Sequence, residues 1–254
     1  MIDCHCHLEQ PEFDQDRDEV IRLCREAGIK AIVTCCAHPR DWEKSLEICQ
    51  RYQGFVFLTA ALHPEFIEEF SSQQISGFLK KLEENAGKLV GIGETGLDFY
   101  WVKDEKQRER QEGLFRETIR LAKRLGKPLV IHARDAVEPA IRILEEEGAK
   151  RVCMHMFGAN QLTSRVIENG WWVSLNLILE RSKKHRKVAR DIPLERILLE
   201  TDSPWLGQGR NDPRSIRRVA ELIAEIKKLE FQEVWQACGR NAVEFFDLQQ
   251  ISSP

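Results

Sequence analysis

Met1-Ile2-Asp3-Cys4-His5-Cys6-His7 opens the chain, and the fold can be worked out from this stretch outward. In an extended strand, side chains two residues apart point to the same face. His5 and His7 could therefore reach one metal ion together, with Cys4 and Cys6 facing the other way. A pair of histidines on one strand is equally explained as two packed polar groups. The rest of the sequence decides between these interpretations.

The segments after this first strand alternate between two patterns. Short β-rich stretches recur between longer amphipathic stretches that are dense in Glu, Lys and Arg. The pattern predicts strands at 2–7, 31–36, 55–63, 89–94, 129–132, 151–155, 171–176 and 197–202. Helices are predicted at 14–26, 41–52, 73–85, 106–125, 136–147, 161–169, 183–190 and 214–228, with a final helix near 231–246. Such alternation indicates a parallel sheet, and eight strands are the number that closes a barrel.

The predicted fold is therefore an α/β structure, a (β/α)8 TIM barrel. The 254 residues of the chain match the roughly 250 that are typical of this architecture. No linker, low-complexity segment or change of composition interrupts the sequence. Residues 1–254 are therefore expected to form a single domain.

Composition narrows the class of protein. With 42% hydrophobic and 31% charged residues, the chain has the composition of an ordinary soluble globular protein. No apolar run approaches the roughly 20 residues of a membrane span. The first strand begins almost at Met1, so no cleavable leader is expected and a cytoplasmic location is predicted. The eight cysteines, which include no C-x-x-C pair, are expected to be buried reduced thiols.

The charge balance bears on the partners of the protein. A net charge of −3 gives no global attraction for nucleic acid, so local positive charge or metal would have to hold a polyanion. The sequence indicates neither a membrane partner nor an obligate protein partner.

Histidine and acidic side chains recur at the ends of the predicted strands. In a parallel barrel the carboxyl ends of all strands open on one rim, where active sites of this architecture are built. Buried histidines and carboxylates are costly unless they are paired or bound to metal. Six potential metal ligands are therefore expected to converge on that rim, namely His5, His7, Glu94, His132, His155 and Asp202.

This donor set indicates the kind of metal site. Four imidazoles and two carboxylates are more than one mononuclear site needs, and they suit a two-metal centre with a shared carboxylate. The nitrogen-rich set favours Zn, Mn, Fe, Co or Ni over a magnesium site built only from oxygen ligands. The expected cofactor is two divalent metal ions, with Zn, Mn, Mg, Co and Ni left open. Such ions would activate a water and neutralise charge on an attacked phosphoryl or acyl centre.

Several motifs give the chain a family resemblance. They are Asp3-Cys4-His5-Cys6-His7-Leu8, Leu62-His63-Pro64-Glu65, Gly91-Ile92-Gly93-Glu94-Thr95-Gly96-Leu97-Asp98, Ile131-His132-Ala133-Arg134, His155-Met156-Phe157 and Glu200-Thr201-Asp202-Ser203-Pro204. In this order they resemble the TatD family of metal-dependent deoxyribonucleases, within the amidohydrolase-like barrel superfamily. The resemblance covers nearly the whole chain and implies a TIM barrel of the metallo-dependent hydrolase type.

The resemblance also implies roles for the matching residues. One ion is expected to be held by His5, His7, Glu94 and Asp202. Glu94 is expected to bridge to a second ion held by His132 and His155. Asp202 would in addition orient or deprotonate the attacking water, so that Asp202 and Glu94 are the expected catalytic residues. Asp98 and Glu200 are candidates for orienting the ligand imidazoles, because metal-bound histidines usually need a partner for the second ring nitrogen.

Substrate contacts are expected on the same rim. His63 and Arg134 resemble phosphate contacts, although His63 is also explained as a cap of the loop after the third strand. Trp205 either stacks on a base or covers the core. The basic run 181–187 is either a solvated face or a track for a nucleic-acid backbone.

The leading interpretation is a metal-dependent nuclease that removes nucleotides from the 3′ ends of single-stranded DNA. The alternatives are a D-aminoacyl-tRNA deacylase, as found among TatD-like proteins, and a small-molecule amide or ester hydrolase. The chain departs from the usual family pattern at Thr95 and at the apolar run after His155. Both departures lie near the pocket, so they bear on the substrate and leave the ligand set intact.

Overall fold

The computed structural model describes residues 1–248 and contains one sheet of eight parallel strands in sequential order. The strands are β1 (Ile2–Cys6), β2 (Ala31–Cys36), β3 (Val56–Ala60), β4 (Leu89–Asp98), β5 (Leu129–Arg134), β6 (Val152–Met154), β7 (Trp172–Leu175) and β8 (Ile197–Leu199). Each strand pairs in parallel with the next along the chain. This confirms the predicted TIM barrel.

The ring closes between β1 and the segment that follows β8. The amide of Asp202 donates to the His5 carbonyl at 3.0 Å, and the amide of His7 donates to the Ser203 carbonyl at 2.8 Å. Asp3 strengthens the same seam, because its buried carboxylate accepts from the Thr201 hydroxyl at 2.6 Å. The seam therefore places the first and last predicted ligand segments side by side.

Helices cover the outside of the barrel. They are α1 (Arg17–Glu26), α2 (Trp42–Arg51), α3 (Ser72–Glu84), α4 (Glu105–Leu125), α5 (Val137–Glu146), α6 (Thr163–Glu168), α7 (Lys183–Asp191), α8 (Ile216–Lys227) and α9 (Phe231–Phe246). Local sequence explains several of the ends: Ser71 and Gln74 form a reciprocal capping box before α3, and Gly126 ends α4 in the left-handed conformation at φ 64°. None of the helices within residues 1–248 has the length and apolar character that a membrane crossing requires.

The core lies between the helices and the sheet. The inner face of α8 buries Ile216, Val219, Ala220 and Ile223, which follow the spacing of an amphipathic helix. All eight cysteines are free, and all but Cys49 are buried, as predicted. The predicted single domain over 1–254 stays a prediction, with residues 249–254 outside the described part of the chain.

The strand ends differ from the predicted ones in two ways. β4 and β5 continue to Asp98 and Arg134, which pair with each other, so Glu94 lies within its strand and not at its end as predicted. Conversely, β3 and β8 end earlier than predicted. After β8 the Thr201 amide donates to the side chain of Asp3 at 3.0 Å and to the His5 carbonyl at 3.3 Å.

Candidate metal centre

The six predicted ligands converge at one end of the barrel, although they come from different strands. His5 lies on β1, Glu94 on β4 and His132 on β5, whereas His7, His155 and Asp202 lie just beyond β1, β6 and β8. Asp202 adopts a left-handed backbone conformation with φ 53°, which is uncommon for a residue with a side chain and is concentrated at functional sites. The other ligand candidates are arranged around Glu94.

Glu94 lies between two sets of imidazoles, and each carboxylate oxygen faces one set. Its Oε2 is 3.3 Å from Nε2 of His5. Its Oε1 is 2.9 Å from Nδ1 of His132 and 3.6 Å from Nε2 of His155. One carboxylate thus faces ring nitrogens on both sides, which is the arrangement that a bridging ligand requires.

His5, His7 and Asp202 form the first side of the cluster. The Nε2 atoms of His5 and His7 are 3.1 Å apart. Asp202 Oδ1 lies 3.8 Å from the first of these nitrogens and 3.5 Å from the second. Nitrogens bound to one zinc ion at about 2.0–2.1 Å are themselves about 3 Å apart, so the spacing of the pair fits a shared ion.

In three of the imidazoles, the ring nitrogen that points away from the cluster contacts a hydrogen-bond acceptor. Nε2 of His132 lies 2.9 Å from Asp98 Oδ2, and Nδ1 of His155 lies 2.8 Å from Glu200 Oε2. Nδ1 of His7 lies 3.2 Å from the Cys35 carbonyl and 3.3 Å from Glu9 Oε1. Such acceptors fix the ring orientation and leave the inward nitrogen free to donate its lone pair to a metal. Nδ1 of His5 is buried and has no hydrogen-bond partner within residues 1–248.

The cluster brings ionisable groups together in a buried site, and their pKa values are shifted as a result. Burial alone would raise the pKa of Glu94, but His155, His63, His5 and His132 hold it well below its usual range. Burial opposes the charged form of His155 as well, yet the carboxylates of Glu200 and Glu94 raise its pKa to about 10. The carboxylates therefore favour positive charge at this position, which a divalent cation supplies when it binds.

Ligand atoms of the cluster fall into three overlapping groups, each within 4.8 Å, that could hold a metal ion. The groups are His5–His155–Asp202, His63–Glu94–His132 and His5–Cys35–Glu94. The donor chemistry of imidazole and carboxylate fits Zn, Mn, Co or Ni. The cluster thus supports the use of a divalent metal.

Two of these residues were assigned other roles from the sequence. His63 was predicted to contact substrate or to cap a loop, and its Nδ1 does accept from the Glu65 amide at 3.2 Å. Its Nε2 nevertheless lies 3.6 Å from Glu94 Oε1, so His63 also faces the cluster. Cys35 was treated only as a buried thiol. Its Sγ accepts from the Glu94 amide at 3.1 Å, a long-range contact that no sequence spacing indicates.

The predicted substrate residues surround this cluster. Arg134 is exposed two residues beyond His132, and Trp205, 44% exposed, places its ring 4.6 Å from the ring of His7. The basic run 181–187 spans the start of α7. His185 in this run contacts, at 3.2 Å, the carbonyl of Met156, which directly follows His155. These side chains thus lie on the rim that holds the metal ligand candidates, and their contact with substrate stays a prediction.

A parallel eight-stranded barrel with histidines and carboxylates gathered at one end has the architecture of a metal-dependent hydrolase. Comparisons with known proteins agree. The family model described as TatD related DNase matches residues 2–247. The chain belongs to the TatD family, as its motifs predicted, and is a hydrolase.

Relatives match over almost their whole length. Deoxyribonuclease TATDN3 of Homo sapiens is 35% identical in an alignment of 258 positions that covers 97% of this chain and 94% of that protein. The uncharacterized metal-dependent hydrolase YabD of Bacillus subtilis is 32% identical in an alignment of 256 positions that covers 97% of this chain and 98% of that protein. Among solved structures, the TatD homolog YjjV from Escherichia coli k12 superimposes with a TM-score of 0.89 at 28% identity, covering 97% of this chain and 98% of that one.

Proposed function

We propose that this protein is a two-metal nuclease that hydrolyses phosphodiester bonds of DNA and removes nucleotides from the 3′ ends of single strands. The observation that carries the two-metal part is the position of Glu94, whose two oxygens face different sets of imidazoles at 3.3 and 2.9 Å. The nuclease part is supported by the family and by the human relative, which is described as a deoxyribonuclease.

The proposed ligands divide between two ions. His5, His7 and Asp202 would hold one, His132 and His155 would hold the other, and Glu94 would be shared between them. A pair of divalent ions at this position supplies an activated water at neutral pH and neutralises charge on the attacked phosphoryl group. Which of Zn, Mn, Mg, Co or Ni is bound is left to metal analysis.

Asp202 is proposed to orient the attacking water and to accept its proton. Burial would raise the pKa of this carboxyl, but His7, His155 and His5 lower it below its usual value, so Asp202 is ionised and can act as an acceptor. Its Oδ1 lies 3.5–3.8 Å from Nε2 of His7 and His5, and its side chain is 14% exposed, which supports this role.

Arg134, His63 and Trp205 are the proposed substrate contacts. A guanidinium at the rim suits the non-bridging oxygens of a phosphate. His63 faces Glu94 and could reach the same phosphate. The exposed indole of Trp205 could stack on a base. Exposed cations of the basic run, Arg181, Lys183, Lys184 and Lys187, offer a path for the backbone and offset the acidic net charge.

The test is a cleavage assay with single-stranded DNA labelled at its 5′ end. The full-length protein, loaded in turn with Mg, Mn, Zn or Co, should produce a ladder that shortens from the 3′ side. Charged D-aminoacyl-tRNA and a simple ester are assayed in parallel. Ester cleavage without any DNA cleavage would reject the nuclease proposal in favour of acyl hydrolysis.

A further inference from the structure

Two aromatic rings are exposed on the loop that leaves β4. Tyr100 is 42% and Trp101 is 56% exposed, which makes them two of the four large exposed apolar side chains in the described part of the chain. Their loop lies on the rim that carries the metal centre candidates, because β4 also carries Glu94. Large rings kept in water next to a catalytic rim indicate a binding surface.

The loop is tied to the metal centre through Asp98. Oδ1 of Asp98 accepts from the amide of Tyr100 at 2.9 Å and from the amide of Trp101 at 2.7 Å. Oδ2 of the same carboxylate lies 2.9 Å from Nε2 of His132. A single buried side chain therefore positions both the aromatic pair and a proposed metal ligand.

Arg134 and Lys103 add positive charge to the aromatic pair. The guanidinium of Arg134 lies 3.9 Å from the centre of the Tyr100 ring and 5.5 Å from that of Trp101. Nζ of Lys103 lies 5.3 Å from the Tyr100 ring. The two rings meet edge to face, with centroids 4.8 Å apart. Stacking on Tyr100 restrains the Arg134 guanidinium, and no ion pair with a carboxylate of residues 1–248 competes for it.

We propose that Tyr100 and Trp101 form a base-stacking platform for a single-stranded polynucleotide, with Arg134 holding a phosphate next to the stacked base. The proposal rests on the proposed nuclease function and deepens it, because it assigns a subsite for an unpaired base beside the metal centre. A polynucleotide alternates flat rings with anionic phosphates, which matches rings alternating with cations on this surface. A duplex hides the faces of its bases in the stack, so the platform selects single strands.

A binding experiment can distinguish a ring that stacks on a base from a ring that only shapes the loop. It uses two fluorescent strands of equal length, one an oligothymidylate and the other built of abasic sugars with the same phosphates. Binding of both is measured by fluorescence anisotropy in EDTA, so that no cleavage occurs. Stacking on an aromatic side chain contributes about 1–3 kcal/mol per base, or about fivefold or more in affinity.

Trp101→Ala and Tyr100→Ala should each weaken binding of the oligothymidylate about fivefold or more. Trp101→Ala should leave binding of the abasic strand unchanged, and Trp101→Phe should restore most of the loss. Ile167→Ala is the matched control, because Ile167 is 37% exposed on α6 and should affect neither strand. Thermal unfolding checks that the variants are folded.

The outcomes distinguish this proposal from the nuclease proposal. Equal losses on both strands, or no loss on the oligothymidylate, would overturn the platform and leave the nuclease proposal standing. Base-dependent binding without cleavage in any metal would support the platform and reject the nuclease. If the metal-free wild-type protein bound neither strand, the platform would be overturned, whereas the nuclease proposal is decided by the cleavage assay with metal.

Discussion

Replacing Asp98 by asparagine tests whether the Asp98 carboxylate prepares His132 to bind a metal ion. The Asp98 carboxylate is fully buried and lies 2.9 Å from Nε2 of His132. Burial would raise the pKa of Asp98, but its contacts with His132 and the Trp101 amide lower it, so the group is an ionised acceptor. Both ring nitrogens of His132 thus face ionised carboxylates, which raise its pKa although burial opposes the charge. Nε2 donates to Asp98, and Nδ1 shares with Glu94, at 2.9 Å, a proton whose place a metal ion would take.

The substitution Asp98→Asn would keep the size of the side chain but replace the acceptor that faces His132 by an NH2 donor. The amide oxygen of the new side chain is still required by the backbone amides of Tyr100 and Trp101, which turns its NH2 group towards His132. Nε2 must then accept, so the one remaining proton of the ring is fixed on Nδ1, where it pairs with Glu94 and opposes metal binding. Loss of such an orienting partner typically weakens metal binding about 10- to 100-fold, which corresponds to about 1.4–2.7 kcal/mol.

Calorimetric metal titration of the refolded, metal-stripped protein measures this change directly. Asp104→Asn is the matched control, since Asp104 caps α4 through the Gln107 amide at 3.0 Å and asparagine caps helices equally well. Asp98→Asn should lower metal affinity with the thermal transition retained, whereas the control should bind metal as the wild type does. Unaltered metal affinity in a folded Asp98→Asn protein would refute the assignment of Nδ1 of His132 as a metal donor.

Three further predictions address the metal, the substrate and the backbone. Glu94→Ala should abolish turnover and lower the metal content measured by elemental analysis, without loss of the barrel by circular dichroism; full activity would rule out a bridging role. The salt dependence of single-stranded DNA binding should become shallower when four cations of the basic run are neutralised together, namely Lys183, Lys184, Arg186 and Lys187. An unchanged slope would show that the run is only a solvated face. Gly96→Ala should unfold the protein at markedly lower temperature, because a Cβ at φ 140° would lie 2.0 Å from the His132 carbonyl. Gly77 lies within α3 with open space around it, so Gly77→Ala should instead stabilise the protein by about 0.5–1 kcal/mol. Equal effects of the two glycine changes would show that the close approach at Gly96 does not require glycine there.

Much of the site could be predicted because its determinants are local. Strand alternation puts His5 and His7 on one face from sequence spacing alone. The rule that parallel strands end on one rim then brings His132 and His155 to the same place, although a whole helix separates them along the chain. The family motifs carried the remaining assignments.

Other features depend on contacts between distant parts of the chain. Cys35 and the amide of Glu94 are 59 residues apart and meet only because β2 and β4 lie on the same side of the ring. The predicted strand end at Glu94 was wrong because β4 gains pairing partners on β5 as far as Arg134. No periodicity contains that information, since it depends on how much of the neighbouring strand is available.

The sequence by itself determined the order of strands and helices, the donor types and the rim on which they meet, since these follow from local periodicity and from the general geometry of parallel barrels. Only the tertiary structure decided which oxygen of Glu94 faces which imidazole and which imidazole each of the predicted carboxylates holds. It also showed that Asp98 joins His132 to the exposed rings of Tyr100 and Trp101. These are distances between side chains from different strands, and they depend on how the barrel closes. The alternation of residues along a single strand carries no information on such distances.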